Sequence, residues 1–319
     1  MQLVPIFPES KEVSDLRKGS AFVVQSLCDN YSAILGGIPG ITVQTKKTYL
    51  SNVIHFIQFI QLNGIHAHTF GEFRNELEGV DKTSKTKNAY LTSAKVLIRE
   101  ALKYRIMPVD ITANVPGFKE NKGHVKDGLM PHEVKKVAGV IRYIPKETTR
   151  AKITAMFELF TAEGFRQIEV TRLKLQDFNA KDGFILVHGK GKHDKKKHYI
   201  KSHTVKSIAR HIEVNAVKDG FIFAGRAGKQ LTTRAIQKAF THPQTGVFAR
   251  AGIEKTVHGF RHFMITKTLK ETNGNITKTK KLARLESIET LIKYDDDMTN
   301  RQTVNELEDS FLEFTVEYN

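Results

Sequence analysis

Two pairs of residues in the chain have the types and the spacing to grip an anion. Arg166 and Glu169 lie three apart in the stretch Thr161-Ala-Glu-Gly-Phe-Arg166-Gln-Ile-Glu169-Val-Thr-Arg-Leu173-Lys-Leu-Gln-Asp177, and His258 and Arg261 lie three apart in His258-Gly-Phe-Arg261-His262. On a helix, residues three apart share a face. Glu169 can then orient the Arg166 guanidinium, and His258 and Arg261 can face one phosphate. A guanidinium stays charged and meets phosphate in a two-pronged fork. An imidazole can donate or shuttle a proton near neutral pH. Each pair also fits an ordinary amphipathic helix with a surface ion pair, and the spacing alone leaves both readings open.

The charge around these pairs is lopsided. Residues 1–127 carry a net +4, residues 128–294 a net +19 and residues 295–319 a net −7, within a total of +16. A strongly basic central block is the electrostatic footprint of a polyanion partner. An acidic tail after it suggests a segment that docks on basic protein surface. Leu307, Phe311, Leu312 and Phe314 interleave with its acids and give it the pattern of an amphipathic helix.

Other chemistries lack their residues. Cys28 is the single cysteine, so no internal disulfide forms, which fits a reducing compartment. No H-E-x-x-H and no cysteine cluster supports a zinc site. Gly189-Lys190-Gly191 meets Asp194 where a dinucleotide fingerprint needs its third glycine. Gly220 and Gly225 have phosphate-loop spacing, but Arg226-Ala227 replaces the Lys-Ser/Thr. His66 and His68 read as surface residues. No apolar run reaches membrane-spanning length, and the N-terminus has early acids and no long apolar core, unlike a signal peptide. A cytoplasmic protein is the expectation.

The order of these segments resembles the tyrosine recombinases, the phage-integrase-like site-specific DNA recombinases. Arg166 stands as in that family's first arginine box, with Gly164 two before it, Glu169 three after, Leu173 seven after and Asp177 eleven after. His258-Gly-Phe-Arg261-His262 is similar to the H-x-L-R-H signature, with Phe260 for Leu. Ile288-Glu-Thr-Leu-Ile-Lys-Tyr294 resembles the segment carrying the family's nucleophile, and Tyr318 is a nearby competitor that the resemblance does not reach. Gly189-Lys190-Gly191-Lys192 sits where the family places a catalytic lysine in a β-turn. One position departs: nine residues before Tyr294, where the family has His or Trp, stands Leu285, and the usual glycine before it is Arg284. Either a hydrogen-bond donor is missing there or Arg284 supplies it.

That resemblance implies a metal-free, cofactor-free enzyme. Tyr294 is the nucleophile, and Arg166, Arg261 and His258 steady the phosphate. Lys190 is the general acid, and Glu169, Arg284 and Leu285 support the site. Lys192, Lys195, Lys196, Lys197 and His262 contact DNA. The implied partners are duplex recombination sites and three further copies of the chain in a tetrameric synapse, as in a mobile element's integrase. A type IB topoisomerase uses similar groups, and a catalytically weak DNA-binding protein of the same fold is the other alternative.

The elements that must position these residues are mainly helical. Tyr49, Val53, Phe56, Ile57 and Ile60 fall on one helical face, as do Tyr90, Ala94, Leu97, Ile98 and Ala101. Asn63-Gly64 and Pro108 mark the ends. Pro131 suits a helix's first turn. Phe184–Val187 and His198–Ile200 read as strands flanking a lysine-rich turn over 188–197. The expected organisation is an N-terminal extension over 1–40, with a loop at Gly36–Gly40. A helical DNA-binding domain over 41–116 and a linker over 117–128 follow. A mixed catalytic domain over 129–294 and the acidic tail over 295–319 complete it. The fold expected by resemblance is mainly α with a small β-hairpin, in a two-domain, C-shaped recombinase architecture.

Overall fold

The computed structural model describes residues 11–120, 128–188, 195–285 and 291. The chain divides into two compact units, Met1–Lys122 and Gly123–Asn319. It is mainly helical, with one small antiparallel sheet, as the sequence predicts.

The first unit contains α1 (Lys11–Gly37), α2 (Val43–Asn63), α3 (Thr69–Gly79) and α4 (Ser84–Lys103). The threonine hydroxyls of Thr42 and Thr83 cap α2 and α4 by accepting the N–H groups of Thr45 and Thr86 at 3.1 and 3.3 Å. Gly64, at φ 74°, closes α2 by donating its N–H to Ile60. The apolar stripe of α2 buries Val53, Phe56, Ile57 and Ile60 against Leu97 and Ile98 of α4, with Phe70 and Phe73 edge-on to Phe56. Helix α1 is a finding that the sequence does not announce: residues placed in an N-terminal extension bury Leu27, Ile34 and Leu35 in this same core. Part of the expected linker also belongs here. Asn88 brackets Phe118, accepting its N–H at 2.7 Å and donating to its carbonyl at 3.0 Å, and Arg74 lies over the Phe118 ring.

The second unit begins with α5 (Pro131–Arg142), with Pro131 at its first turn and Glu133 accepting the Met130 N–H at 2.7 Å. Next come α6 (Glu147–Thr161) and the short α7 (Gln167–Arg172). The sheet runs β1 (Phe178–Asn179), β2 (Phe184–His188) and β3 (Lys195–Tyr199), antiparallel and in sequence order. Then follow α8 (Ser202–Val214), α9 (Thr233–Thr241), α10 (Val247–Ala251), α11 (His258–Glu271) and α12 (Ile276–Ala283). Helix α6 is buried along most of its length, from Ile153 to Phe160. A cluster of Phe157, Phe160, Phe240, Phe248 and Phe260 joins α6, α9, α10 and α11, with ring centroids 5.1 to 6.3 Å apart. Phe260, between His258 and Arg261, is fully buried and anchors this turn of α11 in the core.

The hairpin differs from its expected limits. Lys195, Lys196 and Lys197 are not in the turn: they are strand residues of β3, paired with His188, Val187 and Leu186. The alternating burial of Ile185 and Val187 sets this register. Strand β3 ends at Tyr199, one residue short of Ile200. Among the described residues no helix is long and apolar enough to cross a membrane.

Candidate active site

The site is built around the turn from α6 into α7. Gly164 lies at φ 61°, so the backbone favours glycine, and a Cβ there would also displace the Met264 methyl, which lies 1.9 Å from its position. This tight turn brings Arg166 to the N-cap of α7. Arg166 and Glu169 therefore meet not as two neighbours on a helix face but as a cap and the residue that reaches back to it. Glu169 Oε2 accepts the Arg166 backbone N–H at 2.9 Å, and Oε1 accepts Arg166 Nη1 at 2.9 Å. The carboxylate is buried while the Arg166 side chain keeps 30% of its exposure. Burial alone would raise the Glu169 pKa. The charges of Arg284 and Arg166 and their hydrogen bonds outweigh it and hold the group ionised, below the usual carboxylate range.

Helix α11 supplies the second pair. His258, its first residue, is exposed. Arg261 is 2% exposed, the largest fully buried side chain among the described residues. Its Nη1 donates to the Gly164 carbonyl and its Nη2 to the Ala283 carbonyl at 2.5 Å. Arg166, His258 and Arg261 line one open cleft of about 330 Å³, together with Phe165, Gln167, Ile168, Thr233, Gln237 and Val257. Two guanidiniums and an imidazole thus line one cleft, and these are the groups that can meet an anion with several oxygens. His262 is half-buried, one turn along, its ring 5.2 Å from that of His258.

Around Leu285 the structure divides two roles that the sequence leaves joined. Leu285 is 7% exposed and packs with Met264, Ile265, Leu269, Ala283 and Leu291, so this position is apolar filling. Arg284 C-caps α12 in the left-handed region, at φ 53° and ψ 47°, and turns its guanidinium inward. It donates to Glu169 Oε2 at 3.1 Å and to the carbonyls of Glu163 and Gly164 at 3.2 and 3.3 Å. It also lies 2.9 Å from His198 Nε2 and stacks on the Phe165 ring.

Three buried groups here carried no role in the sequence analysis. Glu163, 1% exposed, accepts from the Lys201 N–H and the Thr204 hydroxyl at 2.8 and 2.9 Å. Burial pushes its pKa up, yet the nearby His198 ring, hydrogen bonds from Lys201 and Thr204 and the Lys201 charge bring it down on balance. His198 is held low chiefly by burial. Asp177 Oδ1 pairs with Lys195 Nζ at 2.5 Å, which commits Lys195 to the protein. Lys197 lies over the rings of Phe184 and Tyr199, and Lys196 is exposed. The acidic residue Asp177, eleven after Arg166, is the one signal in the sequence that pointed to any of these. Tyr294, Lys190, Lys192 and the tail 295–319 lie outside the described residues, and among the described residues no cluster of three metal-ligating side chains occurs.

Comparison with known proteins identifies the family. A family model described as the phage integrase family matches residues 127–301. A tyrosine recombinase XerC of Lactobacillus delbrueckii subsp. bulgaricus is 26% identical over 249 residues, covering 75% of this chain and 77% of that protein. A tyrosine recombinase XerD of Shewanella oneidensis is 23% identical and covers 76% and 83%. Among solved structures, a lambda integrase dimer bound to a COC′ core site superposes with a TM-score of 0.69 at 16% identity, over 93% and 84% of the two chains. A XerH recombinase in a post-cleavage complex with difH superposes at 0.68, with 17% identity, over 92% and 84%. These two likenesses are of fold. The named relatives are recombinases, and the topoisomerase alternative falls away. With the family model spanning more than half of its length, this chain belongs to the phage integrase family and is a site-specific tyrosine recombinase, a DNA strand-transfer enzyme.

Proposed function

We propose that the cleft lined by Arg166, His258 and Arg261 holds the scissile phosphate of duplex DNA and that Tyr294 attacks it. The observation that carries this reading is the convergence of those three side chains, drawn from two elements far apart in sequence, on one open cleft. A pentavalent phosphate carries more charge than the diester, and fixed cations that meet its non-bridging oxygens lower the barrier. The Tyr294 oxygen bonds to phosphorus and the 5′ oxygen leaves, giving a 3′-phosphotyrosyl enzyme and a free 5′ hydroxyl. Lys190 protonates that leaving oxygen, and the phenolic proton passes to the site's base or to water. The phosphotyrosyl bond keeps the diester's energy, so the incoming 5′ hydroxyl of a partner strand can religate without ATP.

In this reading the chain acts on specific duplex sites of a mobile element, as a tetramer on two such sites, from a cytoplasmic, nucleoid-associated pool. Lys192, Lys196, Lys197 and His262 support the grip on the backbone. The helical unit at 41–116 and the catalytic unit at 129–294 both contact the duplex, and residues 295–319 join neighbouring copies. Phosphate contacts dominate affinity. The test is covalent trapping on a nicked duplex carrying the site mapped on DNA that flanks the gene. Tyr294→Phe removes one oxygen, so it should bind that duplex normally and form no covalent complex. Trapping that persists in Tyr294→Phe and vanishes in Tyr318→Phe would move the nucleophile. No trapping by the parent protein would favour a DNA-binding protein that keeps the fold.

A further inference from the structure

We propose that Arg284 is a positioning residue for strand cleavage, which sets Arg166 through their shared partner Glu169 and does not itself touch the phosphate. The proposal rests on the reading of the cleft given above. A guanidinium has five N–H donors in a fixed plane. In Arg284, Nη1 meets the Glu163 carbonyl and His198, and Nη2 meets the Gly164 carbonyl and Glu169. The remaining nitrogen, Nε, is buried without a partner. The flat face lies 4.2 Å from the Phe165 ring centre. Four of the five donors are thus spent on the protein, and Arg284 is not among the residues that line the cleft. Arg284 is not aimed at the cleft but wedged behind it.

What it wedges is the segment that fixes Arg166. Its contacts run along Glu163, Gly164, Phe165 and Glu169, and the Glu169 carboxylate is the one group that holds both the Arg166 backbone and its guanidinium. Glu169 Oε2 is divided between the Arg166 N–H at 2.9 Å and Arg284 at 3.1 Å. With Arg284 gone, one side of that carboxylate is loose, and the Arg166 fork loses its fixed direction. His198 completes the back wall: its Nε2 accepts from Arg284 only as a neutral ring, and burial and the Arg284 charge, against the opposing pull of Glu163 and Glu169, lower its pKa. Arg284 also stands ten residues before Tyr294. One side chain thereby ties the start of the nucleophile's segment to the loop that presents Arg166.

The test compares Arg284→Gly, Arg284→Lys, Glu169→Gln and the Glu169→Gln/Arg284→Gly pair in the full chain. The readouts are single-turnover covalent trapping on the mapped nicked duplex and gel-shift affinity for the same duplex. Glycine is at ease at φ 53°, so Arg284→Gly deletes the guanidinium without adding backbone strain. It should slow trapping by about ten- to a hundredfold, as removal of an orienting partner does, with duplex affinity unchanged. Methylguanidinium in the buffer should restore part of the rate. Arg284→Lys should fall between, since one ammonium can meet Glu169 but not the two carbonyls at once. In the paired variant the losses should overlap, because both changes act through Arg166. Parental trapping rates in Arg284→Gly or Arg284→Lys, or losses that multiply in the pair, would overturn the proposal. So would a loss of duplex affinity equal to the loss of rate. If Arg284→Gly does not fold, Arg284→Lys decides alone by the same two readouts. Tyr294→Phe runs alongside: if it still traps, the reading of the site fails, whereas parental rates in the Arg284 variants beside a dead Tyr294→Phe sink this inference alone.

Discussion

At the scale of single residues, the site depends on what surrounds each cation rather than on the cations alone. Arg166 is half-free and aimed by Glu169, while Arg261 is buried and anchored on the carbonyls of Gly164 and Ala283. Both changes to alanine should nearly abolish covalent trapping, on the order of a hundred- to a thousandfold or about 3–4 kcal/mol each. Duplex affinity should fall far less, because many other cations hold the backbone. Trapping at the parental rate by either variant would remove that arginine from the chemistry. The two should part in stability: Arg261→Ala takes its donor from the buried Ala283 carbonyl, leaves the Gly164 carbonyl to Arg284 alone and should lower the unfolding midpoint, whereas Arg166→Ala should lower it less. Gly164→Ala tests the turn between them. Its Cβ would need the Met264 methyl to move and its backbone to hold a left-handed angle, so a loss of about 1–3 kcal/mol in urea unfolding is expected. Trapping should be impaired as well, since the Gly164 carbonyl is where Arg261 and Arg284 converge.

At the scale of elements, α8 offers a pH test independent of the chemistry. His211 is buried, with Nε2 2.9 Å from the Ile222 carbonyl, Nδ1 2.9 Å from the Asn215 amide nitrogen, and its ring stacked on Phe223. The carbonyl needs a proton on Nε2 and the amide needs a bare Nδ1, so only the neutral ring satisfies both. Burial, with the Lys152 charge adding to it, lowers the pKa; His198 is lowered too. The unfolded chain then binds protons that the folded chain refuses, and stability rises with pH. Stability should be complete above about pH 6.5 and fall below it, by up to about 1.4 kcal/mol per pH unit for each such ring. Denaturant midpoints between pH 7 and pH 5 measure this, and His211→Gln should flatten the slope; an unchanged slope would remove His211 as its source. The same elements show what a sequence can carry. Helices α2 and α4 are legible because their apolar residues lie on one face. Helix α1 is not: Leu27, Ile34 and Leu35 are buried, but Phe22 is 74% exposed, and the mixture blurs the stripe. The lysines of β3 look like a loop because register with β2, not local preference, makes them a strand. Arg166, His258 and Arg261 were legible as short-range pairs. The inward turn of Arg284 was not, because its partner Glu169 lies 115 residues away.

At the scale of the whole molecule, the charge that marks residues 128–294 sets both how the chain meets DNA and what its tail can do. A net +19 on that stretch predicts steep weakening of duplex binding with added salt, through released counterions. Residues 295–319, at net −7, are repelled by DNA and drawn to basic protein surface. Leu307, Phe311, Leu312 and Phe314 recur at intervals that gather them on one side if the segment is helical, which provides apolar surface to bury. The segment begins immediately after Tyr294, so whatever it docks on also bears on the proposed nucleophile. In the proposed assembly it docks on a neighbouring copy and makes cleavage answer to the partner's presence. A chain ended at Met298 should then keep binding to a single site but lose synapsis and recombination, and its trapping on the nicked duplex should change because the tyrosine's segment has lost its anchor. Gel shifts, trapping and an integration assay on the shortened protein measure these three steps separately. Normal recombination by it would dispose of the idea. A shortened chain that fails to fold, by thermal unfolding, would show instead that the tail packs on its own unit, where the same charge argument also holds.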